Sequence, residues 1–164
     1  LKLLTKYRFT FGSENSTSGR LMPQYFLDIA GVKLTDFKGK TVGFSGSHDT
    51  TIALVNSSSY DVGVLNKQVW DRNTKKNPSR VKNASVFFIT PSYVDYHWLA
   101  QGYLDQRFNN GFTKELKKVL LNLNPTNKNQ KLILEMFNAK KFIEANSEQF
   151  KEIEIIARKI KKIK

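Results

Sequence analysis

The 164-residue sequence predicts an α/β fold, on three observations. Short runs of β-branched and aromatic residues alternate regularly with amphipathic segments over the first ninety residues, a rhythm that places helices against a sheet. Gly31 and Pro91 punctuate the alternation, where a helix stops and a strand ends. An apolar content of 40%, with 12% aromatics, is enough to bury a core as one domain, or as one lobe and part of a second.

In chain order, residues 7–11 (Tyr-Arg-Phe-Thr-Phe) read as a first strand. Leu21, Met22, Tyr25, Phe26 and Ile29 then recur at helical spacing up to Gly31. Residues 41–45 form the second strand, and a short helix follows over residues 49–56 with Ile52 and Val55 on its apolar side. Residues 61–65 form the third strand and lead into a helix around residues 67–72. The polar stretch 73–83, with Pro78, reads as a surface loop, and residues 84–90, rich in Val, Phe and Ile, as a fourth strand. The remainder is helical. Phe112, Leu116, Val119, Leu120 and Leu123 mark one helix before Pro125, and residues 132–137 a second. A third begins near Ser147, with Phe150, Ile153, Ala157 and Ile160 on one face and Lys and Arg on the other. That basic amphipathic end is read as a helix docked on a core, with membrane or calmodulin-like binding as the alternative.

Composition removes several classes of function. Without Cys there is neither a disulfide framework nor a thiolate metal site. No apolar run reaches the roughly 18 to 20 residues of a membrane span, and the N-terminus lacks the pattern of a secretory signal. Because the chain opens on Leu1-Lys2-Leu3-Leu4, it reads as a piece of a longer protein. The formal net charge of +13 favours anionic partners, but the basic residues are spread on both sides of Phe112 and form no dense tract. Gly39-Lys40-Thr41 lacks the earlier Gly of a phosphate-binding P-loop, the position being Leu34. Residues 43–47 end in Ser where a nucleophile elbow needs Gly, so a hydrolase site is not supported. His48 and His97 have no partner at metal-ligand spacing, and no metal is expected.

The chemistry of the chain concentrates in two strand-to-helix junctions. The first is residues 13–19, Ser-Glu-Asn-Ser-Thr-Ser-Gly, where Ser16, Thr17 and Ser18 place hydroxyls and backbone N–H groups at a helix start. This is the chemistry of an anion cradle, and equally that of an ordinary Ser/Thr cap. The second is residues 45–51, Ser-Gly-Ser-His-Asp-Thr-Thr, in which His48 stands as a further donor. Binding that varied between about pH 5 and 8 would mark its imidazolium as a contributor. On adjacent strands of an open α/β sheet the two junctions would face one crevice.

The run Phe11-Gly12-Ser13-x-x-Ser16-Thr17-Ser18-Gly19-x-Leu21-x-Pro23, then Phe44-Ser45-Gly46-Ser47-His48-Asp49, then Asp61-Val62-Gly63-x-x-Asn66 and Pro91-Ser92-Tyr93-x-Asp95-Tyr96, resembles the phosphonate- and phosphite-binding proteins of ABC uptake systems. The resemblance implies a type II periplasmic binding-protein fold, in which two lobes close on a ligand. It assigns Ser16, Thr17 and Ser18 to the oxygens of a phosphorus oxyanion, with His48 as an additional donor. Asp95 matches the acidic residue that holds the ligand amine in aminoalkylphosphonate binders. Gln68 departs from the pattern, because those binders carry Glu there and an uncharged amide offers an ammonium no ion pair. Phosphate, phosphite and simple alkylphosphonates therefore stand ahead of aminoalkyl ligands.

On this reading residues 1–90 form the second, ligand-binding lobe with its hinge strands. Residues 91–164 return as the C-terminal helical part of the first lobe, whose first half is not in the sequence. The expected function is non-covalent capture of a phosphonate, phosphite or phosphate as the substrate-binding component of an ABC transporter, without enzymatic turnover and without a cofactor. The implied partners are that small oxyanion and the transporter permease, in the periplasm or anchored outside the membrane. Helices lacking the sheet they normally cover would pair with a second copy, by dimerisation or helix exchange, or with a separate N-terminal fragment. The alternatives are a basic nucleic-acid-binding domain, which needs its Lys and Arg on one face, and a sensory domain of the same fold.

Overall fold

The computed structural model describes residues 1–94 and 96–163. By contact the chain divides into two compact units, Leu1–Asp95 together with Lys151–Lys164, and Tyr96–Phe150.

The first unit is built on a three-stranded sheet of β1 (Phe9–Phe11), β2 (Gly43–Phe44) and β3 (Val62–Gly63). Both pairings are parallel, and the order β2-β1-β3 puts the first strand in the middle. Register pairs Thr10 with Gly43 and Phe11 with Phe44 on one side of β1, and Phe9 with Val62 and Thr10 with Gly63 on the other. All three residues of β1 are buried, as a central strand covered on both faces requires. Phe9 and Phe11 alternate with Thr10 and so share a face. There they pack with Leu27, Val32 and Phe37, the Phe9 and Phe37 rings 4.7 Å apart.

Between the strands lie α1 (Met22–Ile29) and α2 (His48–Asn56), and after β3 comes α3 (Lys67–Lys76). Helix α1 continues directly from a π-helical turn over Thr17–Leu21, with Pro23 in its first turn. Helix α3 runs to Lys76, so the expected loop from residue 73 begins later. Its buried Asn73 donates to the Val69 carbonyl at 3.0 Å and accepts from Arg80 at 3.2 Å, holding the last turn. At the opposite end of the sheet Arg8 and Asp61 tie β1 to β3. Asp61 accepts from the Arg8 backbone N–H at 2.8 Å and from Nη2 at 2.7 Å. Those hydrogen bonds from Arg8 hold the Asp61 carboxyl at about 2, below the usual carboxylate range.

Residues 84–90 form no strand. Among the described residues no neighbour supplies their backbone with a ladder, and Val86, Phe87, Phe88 and Ile89 are exposed. High β-propensity without a partner strand leaves an extended segment and not a sheet edge. The C-terminal helix α7 (Lys151–Lys159) also departs from expectation, since it belongs to the first unit and not with the other C-terminal helices. It buries Ile156 and Ala157, and the Lys159 ammonium lies 5.3 Å from the Tyr25 ring centre.

The second unit holds α4 (Leu104–Arg107), α5 (Phe112–Leu121) and α6 (Lys128–Met136). Asp105 accepts from both the backbone N–H and the hydroxyl of Thr113, at 2.7 and 2.9 Å, which closes the first turn of α5. Trp98, Phe137 and Phe142 form an edge-to-face cluster with ring centres 5.2 to 5.9 Å apart. Leu134 is buried, while Leu116 and Leu120 of α5 are only half-buried.

Candidate functional site

Because the three strands are parallel, their C-terminal ends emerge at one edge of the sheet, and each is followed by a helix start. The first junction closes on itself. Gly12 N–H donates to the Gly19 carbonyl at 2.7 Å, drawing the two ends of the loop together. A Cβ on Gly12 would sit 3.1 Å from the Gly19 Cα, and one on Gly19 would sit 3.0 Å from the Ser16 hydroxyl oxygen, so the closure needs both glycines. Ser16 caps the turn, its hydroxyl oxygen accepting from Gly19 N–H at 2.9 Å. The two readings of this serine are therefore compatible, since a hydroxyl that accepts from the backbone still carries a proton to donate. Thr17 is half-buried, and its hydroxyl makes no hydrogen bond among the described residues; Ser18 is 8% exposed.

The second junction is stitched to the first. Ser45 N–H donates to the Phe11 carbonyl at 3.0 Å, and Gly46 N–H to the Gly12 carbonyl at 3.3 Å. Gly46 makes this turn with a φ of 80°, which favours glycine. Ser47 caps α2 by accepting from Thr50 N–H at 3.1 Å, and buried Thr51 bonds the Ser45 hydroxyl at 2.7 Å and the Ser47 carbonyl at 3.1 Å. His48 is the first residue of α2, half-buried.

A third junction, after β3, completes the edge. Buried Asn66 caps α3 by accepting from Gln68 N–H at 2.8 Å, and its own N–H donates to His48 Nδ1 at 3.4 Å. An imidazole nitrogen that accepts an amide proton carries no hydrogen, so the ring's donor nitrogen is Nε2. Asn66 thereby fixes which way His48 offers its proton. The sequence contained Asn66 within a quoted motif but gave no sign of this role, which depends on α2 and α3 starting side by side.

A cleft of about 800 Å³ in the first unit is lined by Ser18, Thr51, Asn66 and Gln68 on its polar side, with Phe26 and Trp70 among its apolar walls. The structure thus brings Ser18 and Gln68 to one cavity, with Gln68 exposed on the first turn of α3. Ser16, Thr17 and His48 stand at the same sheet edge but outside the walls of that cleft. Asp95 lies outside the described residues.

Sequence reasoning counted Arg20 only as part of the net charge. Its side chain is 7% exposed, with the guanidinium carbon 4.2 Å from the Phe11 ring centre and 4.9 Å from that of Phe44. Nε and Nη1 are buried without a hydrogen-bond partner among the described residues. Burial pulls the group below its usual pKa, and Glu14 acts in the opposite direction.

Residues 1–150 match the family described as ABC transporter, phosphonate, periplasmic substrate-binding protein. Over all 164 residues the chain is 65% identical to the probable ABC transporter phosphite binding protein PhnD1 of Prochlorococcus marinus strain MIT 9301, covering 55% of that protein. It also superposes on the crystal structure of PhnD1 from the same strain in complex with methylphosphonate, with a TM-score of 0.96. The match covers 99% of this chain and 60% of that one. The chain therefore spans somewhat more than half the length of the relatives it matches.

Proposed function

The chain belongs to the phosphonate periplasmic substrate-binding family of ABC transporters, and on that premise we propose that it captures a phosphorus oxyanion at the C-terminal edge of its parallel sheet. The observation that carries this reading is the convergence of three helix starts on one edge, tied together by the Gly46–Gly12 and Asn66–His48 hydrogen bonds. Backbone N–H groups and the positive ends of helix dipoles suit a tetrahedral anion there. Ser16, Thr17 and Ser18 donate from the first junction and His48 Nε2 from the second. Hydrogen bonds to a charged acceptor are the stronger kind, and the net charge of +13 draws anions toward them.

The ligand is a phosphonate, phosphite or phosphate without an amine. Gln68 lines the cleft as a neutral amide, and the relatives' named ligands, phosphite and methylphosphonate, also lack an ammonium group. Binding is non-covalent and involves no turnover. The chain would act in the periplasm, delivering its ligand to the permease of an ABC transporter. Residues 1–90 contribute the ligand-binding lobe. Calorimetric titration with phosphite, phosphate, methylphosphonate and 2-aminoethylphosphonate tests the proposal. Saturable heat with at least one of the first three, and weaker binding of the fourth, is the expected result; no heat with any of them sinks it.

A further inference from the structure

We propose that Arg20 makes this site prefer doubly charged over singly charged oxyanions, an inference that rests on the reading of the sheet edge as an oxyanion site. A buried guanidinium is ordinarily paired with a carboxylate, because desolvating an unpaired charge is costly. Here Phe11 and Phe44, register partners on β1 and β2, hold the guanidinium against their rings. Its buried Nε and Nη1 find no acceptor among the described residues. Arginine keeps its proton under these conditions, so the positive charge stays. Glu14, exposed on the same loop, is the carboxylate that acts on it, and it makes no ion pair with Arg20.

Position turns that charge to use. Arg20 follows Ser18 by two residues, which places their Cα atoms within about 7 Å of each other. It also lies in the turn whose N–H groups start α1, so its charge has the same sign as the helix dipole there. The aromatic stacking holds the guanidinium at the C-terminal ends of β1 and β2, so on this inference it acts as a field on the ligand and not as a hydrogen-bond donor. Each negative charge on the ligand gains a similar increment of attraction, so a dianion gains it twice. At a separation near 10 Å and an effective dielectric constant near 20, the second increment is worth roughly a factor of ten in affinity. A shape-based site would instead respond to the oxygens and be indifferent to total charge.

The test compares methylphosphonate with its monomethyl ester at about pH 9, where the first carries two charges and the second one. Titrations are made with the wild-type chain, Arg20→Lys and Arg20→Met. The extra methyl group of the ester affects all three proteins alike, so the change in the affinity ratio isolates charge. The ratio should fall about tenfold in Arg20→Met, and by less in Arg20→Lys, whose buried ammonium gives up its proton more readily than a guanidinium. Equal losses for both ligands in Arg20→Met would mean that Arg20 only props up the loop, and would overturn the proposal. So would an unchanged ratio. Should Arg20→Met fail to fold, Arg20→Gln takes its place, with the same tenfold fall expected and an unchanged ratio overturning the inference. Failure of the wild-type chain to bind either ligand would instead overturn the oxyanion reading beneath it.

Discussion

Ser16 and Thr17 are neighbours with the same functional group, yet the structure gives them different work. Ser16 satisfies the Gly19 amide, so Ser16→Ala should cost about 1 kcal/mol of stability as well as affinity. The Thr17 hydroxyl bonds nothing among the described residues, so Thr17→Ala should leave the melting temperature nearly unchanged. It should still weaken oxyanion binding by about 1.5 to 3 kcal/mol, the value of a hydrogen bond to a charged partner. Thermal melts paired with titrations separate the two effects, and equal losses of stability in both variants would contradict the assignment. His48 invites a similar dissection. With Nδ1 accepting from Asn66, protonating the ring would set one N–H against another. An accepting Nδ1 favours the ring without its second proton, so affinity should not rise as pH falls from about 8 to 5, the range in which histidines titrate. His48→Gln, which keeps a donor near Nε2, should lose less affinity than His48→Ala. A rise in affinity toward pH 5 that disappears in His48→Gln would show instead that the imidazolium is the working species.

Among the elements, the sheet is short and depends on what holds its strands in register. Arg8 and Asp61 do this where β1 and β3 begin, with backbone N–H groups of Asp61 and Val62 donating to the Arg8 carbonyl beside them. Asp61 has its pKa depressed to about 2, against a value near 3.9 in an unfolded chain. A depressed carboxylate contributes stability that is present above the unfolded pKa and is lost as pH falls through the folded one. The contribution of Asp61 should therefore be intact at pH 5 and disappear between about pH 4 and 2. Urea midpoints of wild type and Asp61→Asn should differ at pH 5 and converge toward pH 2. A constant gap across that range would assign the effect to something other than the carboxylate's charge. Helix α2 shows a different dependence. Its cap, Ser47, is local, whereas its link to the first junction runs through the Gly46 amide and the Gly12 carbonyl.

For the molecule as a whole, the exposed apolar surface is the dominant physical fact. In the first unit Val86, Phe87, Phe88 and Ile89 lie open to solvent; in the second Tyr96, Leu99 and Met136 are each at least 75% exposed. Exposed apolar side chains following one another along the chain, as at residues 86–89, promote association. The chain should therefore self-associate as its concentration rises, and light scattering from micromolar concentrations upward measures it. Replacing Phe87 and Ile89 together by Lys should reduce the association and leave the sheet intact, because neither residue belongs to the buried core. A concentration-independent monomer would show that these side chains find cover within the chain in solution.

The sequence by itself determined the alternation of strand and helix, the positions of β1 to β3 and of six of the helices, and the anion-suited chemistry of residues 13–19 and 45–51. These are local properties, carried by periodicity, capping residues and glycines that act within a few positions of one another. What only the tertiary structure decided were relations between distant residues. Residues 84–90 have the composition of a strand, but a strand exists only beside a partner, and composition does not say whether one is there. Helix α7 has an apolar face that would suit either unit, and packing beside Tyr25 chose the first. Asn66 orients His48, and Arg20 sits unpaired between two phenylalanines, because the order β2-β1-β3 brings their elements together. Hydrogen bonds and burial depend on proximity in space, and in a parallel sheet that proximity is set by strand order, which no local pattern in the chain encodes.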